Sequence, residues 1–193
     1  MKGIIFTEFL DLVEERFGLE MVDKIICQSK LDSQGIYTSI GTYSFYEFLQ
    51  LLHNLSKNKS ISLVNLLRVF AAQIFSAMDS IYPDMLTSYN DSIEMIAAMN
   101  QHIEKIFTTT NTTTNTSTEE LLKAKSFSPL PQFTVKEKTK NSLIIHYKSE
   151  RGMQHFWLGL MHEMFQHFNE TATIVLEKVN KDGSEVKFTI TKN

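Results

Sequence analysis

The sequence predicts an α+β protein, with a helical N-terminal lobe packed on a C-terminal lobe of mostly antiparallel sheet and helix. Three observations carry that prediction. Apolar residues recur at helical spacing as far as Phe107. A Thr/Asn-rich stretch, "TTTNTTTNTSTEE" at 108–120, then offers almost nothing to bury and reads as a flexible linker. Beyond it, short β-branched and aromatic runs flank a single amphipathic helix. The expected organisation is one domain over 1–193, with lobes at 1–107 and 121–193 joined by that linker.

The elements follow in order. Ile5, Phe9, Leu12 and Val13 make one helical stripe, and Met21, Val22, Ile25 and Ile26 a second. Phe45, Phe48, Leu49 and Leu52 suggest a third helix. Leu63, Leu66, Leu67, Phe70, Ile74 and Met78 suggest a long fourth, broken at Tyr82-Pro83 because a residue before proline disfavours the α region. "DSIE" at 91–94 has capping-box spacing and opens a helix expected to reach about Phe107. After the linker, Phe133 and Val135, then Leu143, Ile144 and Ile145, read as strands. "MQHFWLGLMHEMFQHF" is a helix with Met153, Phe156, Trp157, Leu160, Met164 and Phe168 on one side. "TATIVLEKV" and "EVKFTITK" are two further strands joined by a hairpin at Lys181-Asp182-Gly183.

Composition narrows the functions. A hydrophobic fraction of 42% and an aromatic fraction of 11% suit a packed globular protein. With 19 Lys and Arg against 22 Asp and Glu, the net charge of −3 provides no nucleic-acid footprint. Cys27 is the one cysteine, so no disulfide framework, Cys-x-x-Cys zinc site or covalent haem attachment is available. Acids at Glu8, Asp11, Glu14 and Glu15 interrupt the N-terminus, unlike a signal peptide, and no run has the roughly 18 apolar residues of a spanning helix. The expected location is cytoplasmic, without membrane contact.

Two stretches suggest chemistry. In "LIIHYKSERGM", Tyr147, Ser149 and Arg151 alternate with His146, Lys148 and Glu150, so that an extended strand here has no apolar side. One reading is a polar edge strand. The sharper one is an anion site, since two hydroxyls and a guanidinium fork suit a pair of carboxylates. In "EMIAAMNQHIEKIF", His102 shares a helical stripe with Met95, Ala98, Met99 and Ile106. It reads either as a core histidine or as the single axial ligand that a haem iron needs. "HEMFQH" lacks the four-residue His spacing of zinc proteases, because His162 and His167 are five apart. His155 and His162 share a face, but one opposite Phe156 and Leu160.

Taken together, the opening "MKGIIF", His102, Pro131, the Tyr-x-Ser-x-Arg motif and the following "FWLGL" resemble the H-NOX family, the haem–nitric oxide/oxygen binding domains related to the sensor region of soluble guanylate cyclase. The resemblance covers essentially the whole chain and implies a haem between the two lobes. It implies that His102 is the proximal iron ligand and that Tyr147, Ser149 and Arg151 hold the haem propionates. Ile5, Pro131 and Leu160 match positions that pack against the porphyrin. The Thr/Asn-rich stretch departs from the family as an insertion.

The resemblance also bears on ligand choice. Oxygen-binding members carry a tyrosine nine residues beyond the motif tyrosine, where this sequence has Phe156. Phe9 and Ile74 stand at the supporting polar positions, and with Met78 they complete an apolar distal pocket. A pocket without a donor discriminates against oxygen, whereas nitric oxide binds ferrous iron without such help. The implied function is a nitric oxide sensor that also takes carbon monoxide, built on non-covalent haem b (iron protoporphyrin IX). It signals by weakening the iron–His102 bond and shifting one lobe against the other. The chain has no kinase or cyclase sequence, so output requires a separate protein such as a histidine kinase or a cyclic-di-GMP enzyme. Two other readings stand beside it: a haem-free α+β interaction module with His102 in its core, and a haem enzyme such as a peroxidase, which needs a polar distal acid/base that these positions lack.

Overall fold

The computed structural model describes residues 1–103 and 130–193. The Thr/Asn-rich stretch, the far end of the helix expected to reach Phe107, and Ile106 lie outside the described residues. The chain divides into two compact units, 1–77 and 78–103 with 130–193, and passes from one to the other within a single helix.

The first unit is helical. Helices α1 (Gly3–Phe17) and α2 (Leu19–Cys27) bury Phe6, Phe9, Leu12 and Val13, and Val22 and Ile25, respectively. Helix α3 (Phe45–Lys59) starts at Ser44, whose hydroxyl accepts the Tyr46 N–H at 3.2 Å. Its inward stripe is Phe48, Leu51, Leu52 and Leu55, at i, i+3, i+4 and i+7. Leu49 falls outside that stripe and is exposed, contrary to the sequence expectation. Helix α4 (Leu63–Ile81) turns Leu66, Leu67, Phe70, Ala71 and Ile74 inward and leaves Leu63, in its first turn, exposed. The Phe9 ring meets Phe48 and Phe70 edge-on at 5.3 and 5.5 Å, an arrangement that suits the ring quadrupoles. Gly3 sits against the loop ahead of α3, where its N–H donates to the Gly41 carbonyl at 2.8 Å.

The second unit is α+β. Helix α4 stops at Ile81, as the proline requires, and Pro83 opens a short helix, α5 (Pro83–Thr87), that periodicity did not reveal. Helix α6 (Ser92–Ala97) begins as its capping signal predicts, with the Asp91 carboxylate accepting the Glu94 N–H at 2.8 Å. It does not run on unbroken. At Ala98 the backbone turns out of helical geometry and its N–H is shared between the Glu94 and Met95 carbonyls; helical backbone then resumes over 99–103.

Strands β1 (Gln132–Lys138), β2 (Ser142–Lys148), β3 (Ala172–Lys178) and β4 (Glu185–Lys192) form one antiparallel sheet in the order β1-β2-β4-β3. Helix α7 (Gln154–His167) connects β2 to β3 and buries Phe156, Leu158, Gly159, Leu160, Met161, Met164 and Phe165. Trp157 and Phe168, expected on that inner face, are only half-buried. Just past α7, the Glu170 carboxylate accepts the Ser92 hydroxyl at 2.6 Å and pairs with Lys192, tying the start of α6 to the end of β4. Among the described residues no single helix is long and apolar enough to cross a membrane.

Candidate functional site

The motif strand departs from the alternation its sequence suggested. Leu143, Ile145 and Tyr147 are buried on one face of β2, and Ser149, just past the strand, is buried as well. The strand therefore has a largely apolar inner face, with Tyr147 and Ser149 extending it. The polar edge-strand reading fails, because β2 lies between β1 and β4. Arg151 lies beyond the strand in a turn. There its N–H donates to the Ser149 hydroxyl oxygen at 3.2 Å, and Gly152 takes the left-handed backbone (φ 62°) that lets the chain turn into α7.

Tyr147 is fully buried. Its ring lies 5.1 Å from Phe133, its neighbour across β1, and within 6.3 Å of Trp157 and 6.4 Å of Phe188. The hydroxyl nonetheless makes no hydrogen bond. Ser149, Trp157 and the Met153 backbone lie close to it, but none in hydrogen-bonding geometry. Burial raises the phenol above its ordinary range against the opposing pull of these neighbours and of the Arg151 charge. The group is thus a neutral donor at physiological pH. Burial also lowers the Arg151 guanidinium, offset by its interaction with Tyr147. A buried hydroxyl left unbonded costs about 1–3 kcal/mol, so the Tyr147 hydroxyl, beside Ser149 and Arg151, is suited to donate to an anionic group.

His102 lies in the 99–103 helical stretch, buried together with Met95, Ala98 and Met99 of its expected stripe. Its Nε2 is 2.8 Å from the Tyr89 hydroxyl. Two residues earlier, Asn100 reaches β1. Its carboxamide oxygen accepts the Phe133 N–H at 2.9 Å and its amide donates to the Phe133 carbonyl. Phe133 is on the outer strand of the sheet, so Asn100 occupies the place of a missing neighbouring strand. The same stretch, with buried Pro131 and Ile103, lines a cleft of about 520 Å³. The structure therefore groups the expected site residues of the second unit into two places. Tyr147, Ser149 and Arg151 are at the end of β2, and His102 with Pro131 is at the junction of its helical stretch with β1.

The remaining expected positions are apolar. In the first unit Phe9 and Ile74 are buried and Ile5 is half-buried. In the second unit Phe156 and Leu160 are buried on α7, and Met78 is half-buried. His155 is half-buried, whereas His162 and His167 are exposed. Among the described residues no group of three His, Cys, Asp or Glu could hold a metal ion. Among the described residues His102 is the one buried histidine.

Residues 2–176 match the model of the haem-NO-binding family. The chain belongs to that family. It is similar to a solved H-NOX protein from K. algicida in the unliganded Fe(II) state, at 54% identity and a TM-score of 0.84, over 100% of this chain and 97% of that one. It is also similar to the H-NOX from Shewanella woodyi, solved with IWP-051 in the Fe(II)CO state, at 28% identity and TM-score 0.73, over 100% and 95% of the two chains. An oxygen-binding H-NOX domain related to soluble guanylate cyclases has the same fold, at 18% identity and TM-score 0.76, with 100% and 95% covered. No curated protein matches the chain at a significant level. H-NOX domains are haem-binding gas sensors in signal transduction rather than catalysts, which weighs against both the haem-free module and the peroxidase. The α+β architecture expected from the sequence is the H-NOX fold.

Sequence reasoning missed Tyr89, the partner of His102, and Asn100, the clasp beside it. Tyr89 stands 13 residues from His102 across the break at Ala98, a separation with no helical period to reveal it. Asn100 left one faint signal, a polar residue beside a buried stripe.

Proposed function

We propose that the protein is a nitric oxide sensor built on non-covalent haem b and selective against oxygen. The observation that carries this reading is the fully buried, unbonded hydroxyl of Tyr147 beside Ser149 and Arg151. These three side chains would bind the haem propionates, and His102 would hold the iron through Nε2. Ile5, Pro131 and Leu160 would pack on the porphyrin. Lacking Cys-x-x-Cys-His, the chain offers no covalent attachment. It functions as one domain, its Thr/Asn-rich 108–120 stretch joining the lobes at 1–107 and 121–193.

When bound, the haem supplies a ferrous iron at which nitric oxide or carbon monoxide binds. The side chains of Phe9, Ile74, Met78 and Phe156 carry no hydrogen-bond donor, so as the distal residues that the family resemblance implies they would disfavour oxygen, which needs one. With haem bound, nitric oxide would weaken the hold of His102 on the iron. The His102 helical stretch is clasped to β1 by Asn100, which would couple a movement of His102 to the sheet. A lobe shift then reports to a separate cytoplasmic partner, such as a histidine kinase or a cyclic-di-GMP enzyme.

The test is an absorption spectrum of the reduced protein alone, with nitric oxide and in air, beside His102→Gly. A Soret band that shifts with nitric oxide but not in air is expected, as is loss of haem from His102→Gly unless imidazole is supplied. A stable oxy spectrum in air would refute the selectivity. A normal ferrous spectrum of His102→Gly without imidazole would refute His102 as the ligand.

A further inference from the structure

The nitrogen of His102 that the proposed function assigns to iron has a second partner within the chain. Tyr89 is half-buried and stands two residues ahead of the Asp91 cap of α6. Its hydroxyl lies 2.8 Å from His102 Nε2, with ring centroids 5.2 Å apart and planes at 49°.

A neutral imidazole carries one N–H and one lone pair. Iron bound at Nε2 requires the lone pair there and the proton on Nδ1. In that tautomer Tyr89 donates its O–H to Nε2 and uses the same lone pair. The hydrogen bond and the metal bond are therefore mutually exclusive. The backbone on both sides of the pair is tied. Asp91 caps α6, Ser92 donates to Glu170 at 2.6 Å, and Asn100 is clasped to Phe133.

We infer that Tyr89 is a positioning residue that captures His102 Nε2 whenever that nitrogen is off the iron, holding the released histidine in place instead of leaving it to rebind. The inference rests on the proposed role of His102 as iron ligand. His102 is only 7% exposed, so water competes little with Tyr89 for its ring. One neutral hydrogen bond shifts such an equilibrium roughly five-fold toward release. Tyr89 thereby sets how completely a gas ligand separates histidine from iron, a property that the distal residues do not determine alone.

The experiment uses the full chain loaded with haem, reduced and exposed to nitric oxide, as wild type and as Tyr89→Phe. The readouts are the ratio of histidine-free to histidine-bound iron in the absorption spectrum, and the rate of haem transfer to an excess of a haem-scavenging protein. Tyr89→Phe is expected to lower the ratio roughly five-fold and to slow haem transfer by a similar factor, with the ferrous spectrum before nitric oxide unchanged. An unchanged ratio and transfer rate overturn the inference. His102→Gly, run in parallel, separates the two claims. If it loses haem while Tyr89→Phe behaves as wild type, only the capture by Tyr89 is refuted. If it keeps a normal ferrous spectrum without imidazole, the ligand role falls and the capture falls with it. Should Tyr89→Phe not fold, the haem-free wild type labelled with nitrogen-15 in its histidines decides. A hydrogen-bonded, unprotonated Nε2 for His102 is expected, and a free-imidazole signal overturns the inference.

Discussion

Replacing Tyr147 by phenylalanine separates two energies attached to one oxygen atom. The hydroxyl is buried and makes no hydrogen bond within the chain, so in protein prepared without haem its removal should relieve a desolvation cost of about 1–3 kcal/mol. The ring keeps its packing at 5.1 Å from Phe133, 6.3 Å from Trp157 and 6.4 Å from Phe188. The void left by one oxygen is small, and the net effect is a gain in stability. For a chain of this length each kcal/mol moves the midpoint by about 2–4 °C, so haem-free Tyr147→Phe should melt a few degrees above wild type. The sign reverses when haem is bound. There the hydroxyl would donate to a propionate, and losing a charge-assisted bond of about 1.5–3 kcal/mol lowers haem affinity roughly ten- to a hundred-fold. Thermal unfolding of the haem-free proteins and competition for haem with a scavenging protein measure the two terms. A haem-free variant that melts below wild type, together with unchanged haem affinity, would refute the reasoning and make the hydroxyl a structural group.

Four further outcomes follow from other contacts. Phe156→Tyr adds a hydroxyl at a position only 5% exposed; a reduced sample in air should then hold oxygen as a persistent complex, and an air spectrum like that of wild type would count against the apolar pocket as the basis of selectivity. Asn100→Ala strips both partners from the Phe133 backbone, which should lower stability by about 1–3 kcal/mol and speed hydrogen exchange at the Phe133 amide. Gly3→Ala would place a methyl carbon 1.8 Å from the Thr38 carbonyl oxygen, so denaturant melts should show a loss of about 1–3 kcal/mol or more. Burial pushes the Glu170 carboxyl up, but Lys192 and Ser92 hold it, on balance, below the usual carboxylate range. Its folded value being depressed, the carboxylate's contribution is complete above the unfolded value and drains away as pH falls through the folded one. Wild type should therefore lose more stability than Glu170→Gln between about pH 5 and pH 3, as chemical denaturation at each pH would register.

How much of this was legible in the sequence depended on the range of the interaction. The stripe of Leu66, Leu67, Phe70 and Ile74, the Asp91 cap and the break at Pro83 are local, set by helical period, one side-chain oxygen and one fixed φ, and each is found where the sequence puts it. So is the change from helical to alternating periodicity that gives the α+β class. The buried His102 stripe was equally visible, because Met95, Ala98 and Met99 mark one helix face. Misreadings arose where a pattern had to be assigned a direction. Tyr147, Ser149 and Arg151 alternate in sequence, but β2 ends at Lys148, so the first two extend a buried face while Arg151 belongs to the turn.

Contacts between distant segments were decided by tertiary structure alone. The Tyr89 hydroxyl on His102 bridges a helix break that no period anticipates. Asn100 finds the Phe133 backbone only because β1 is the outer strand of a sheet whose order places β4 beside β2. The unbonded Tyr147 hydroxyl exists only once Phe133, Trp157 and Phe188 have closed around it and kept water out. Sequence thus determined which residues carry donors, imidazole and apolar surface, since those are properties of the side chains themselves. Folding determined which donors remain unspent, because satisfaction of a hydrogen bond belongs to a pair of groups and to the water excluded between them.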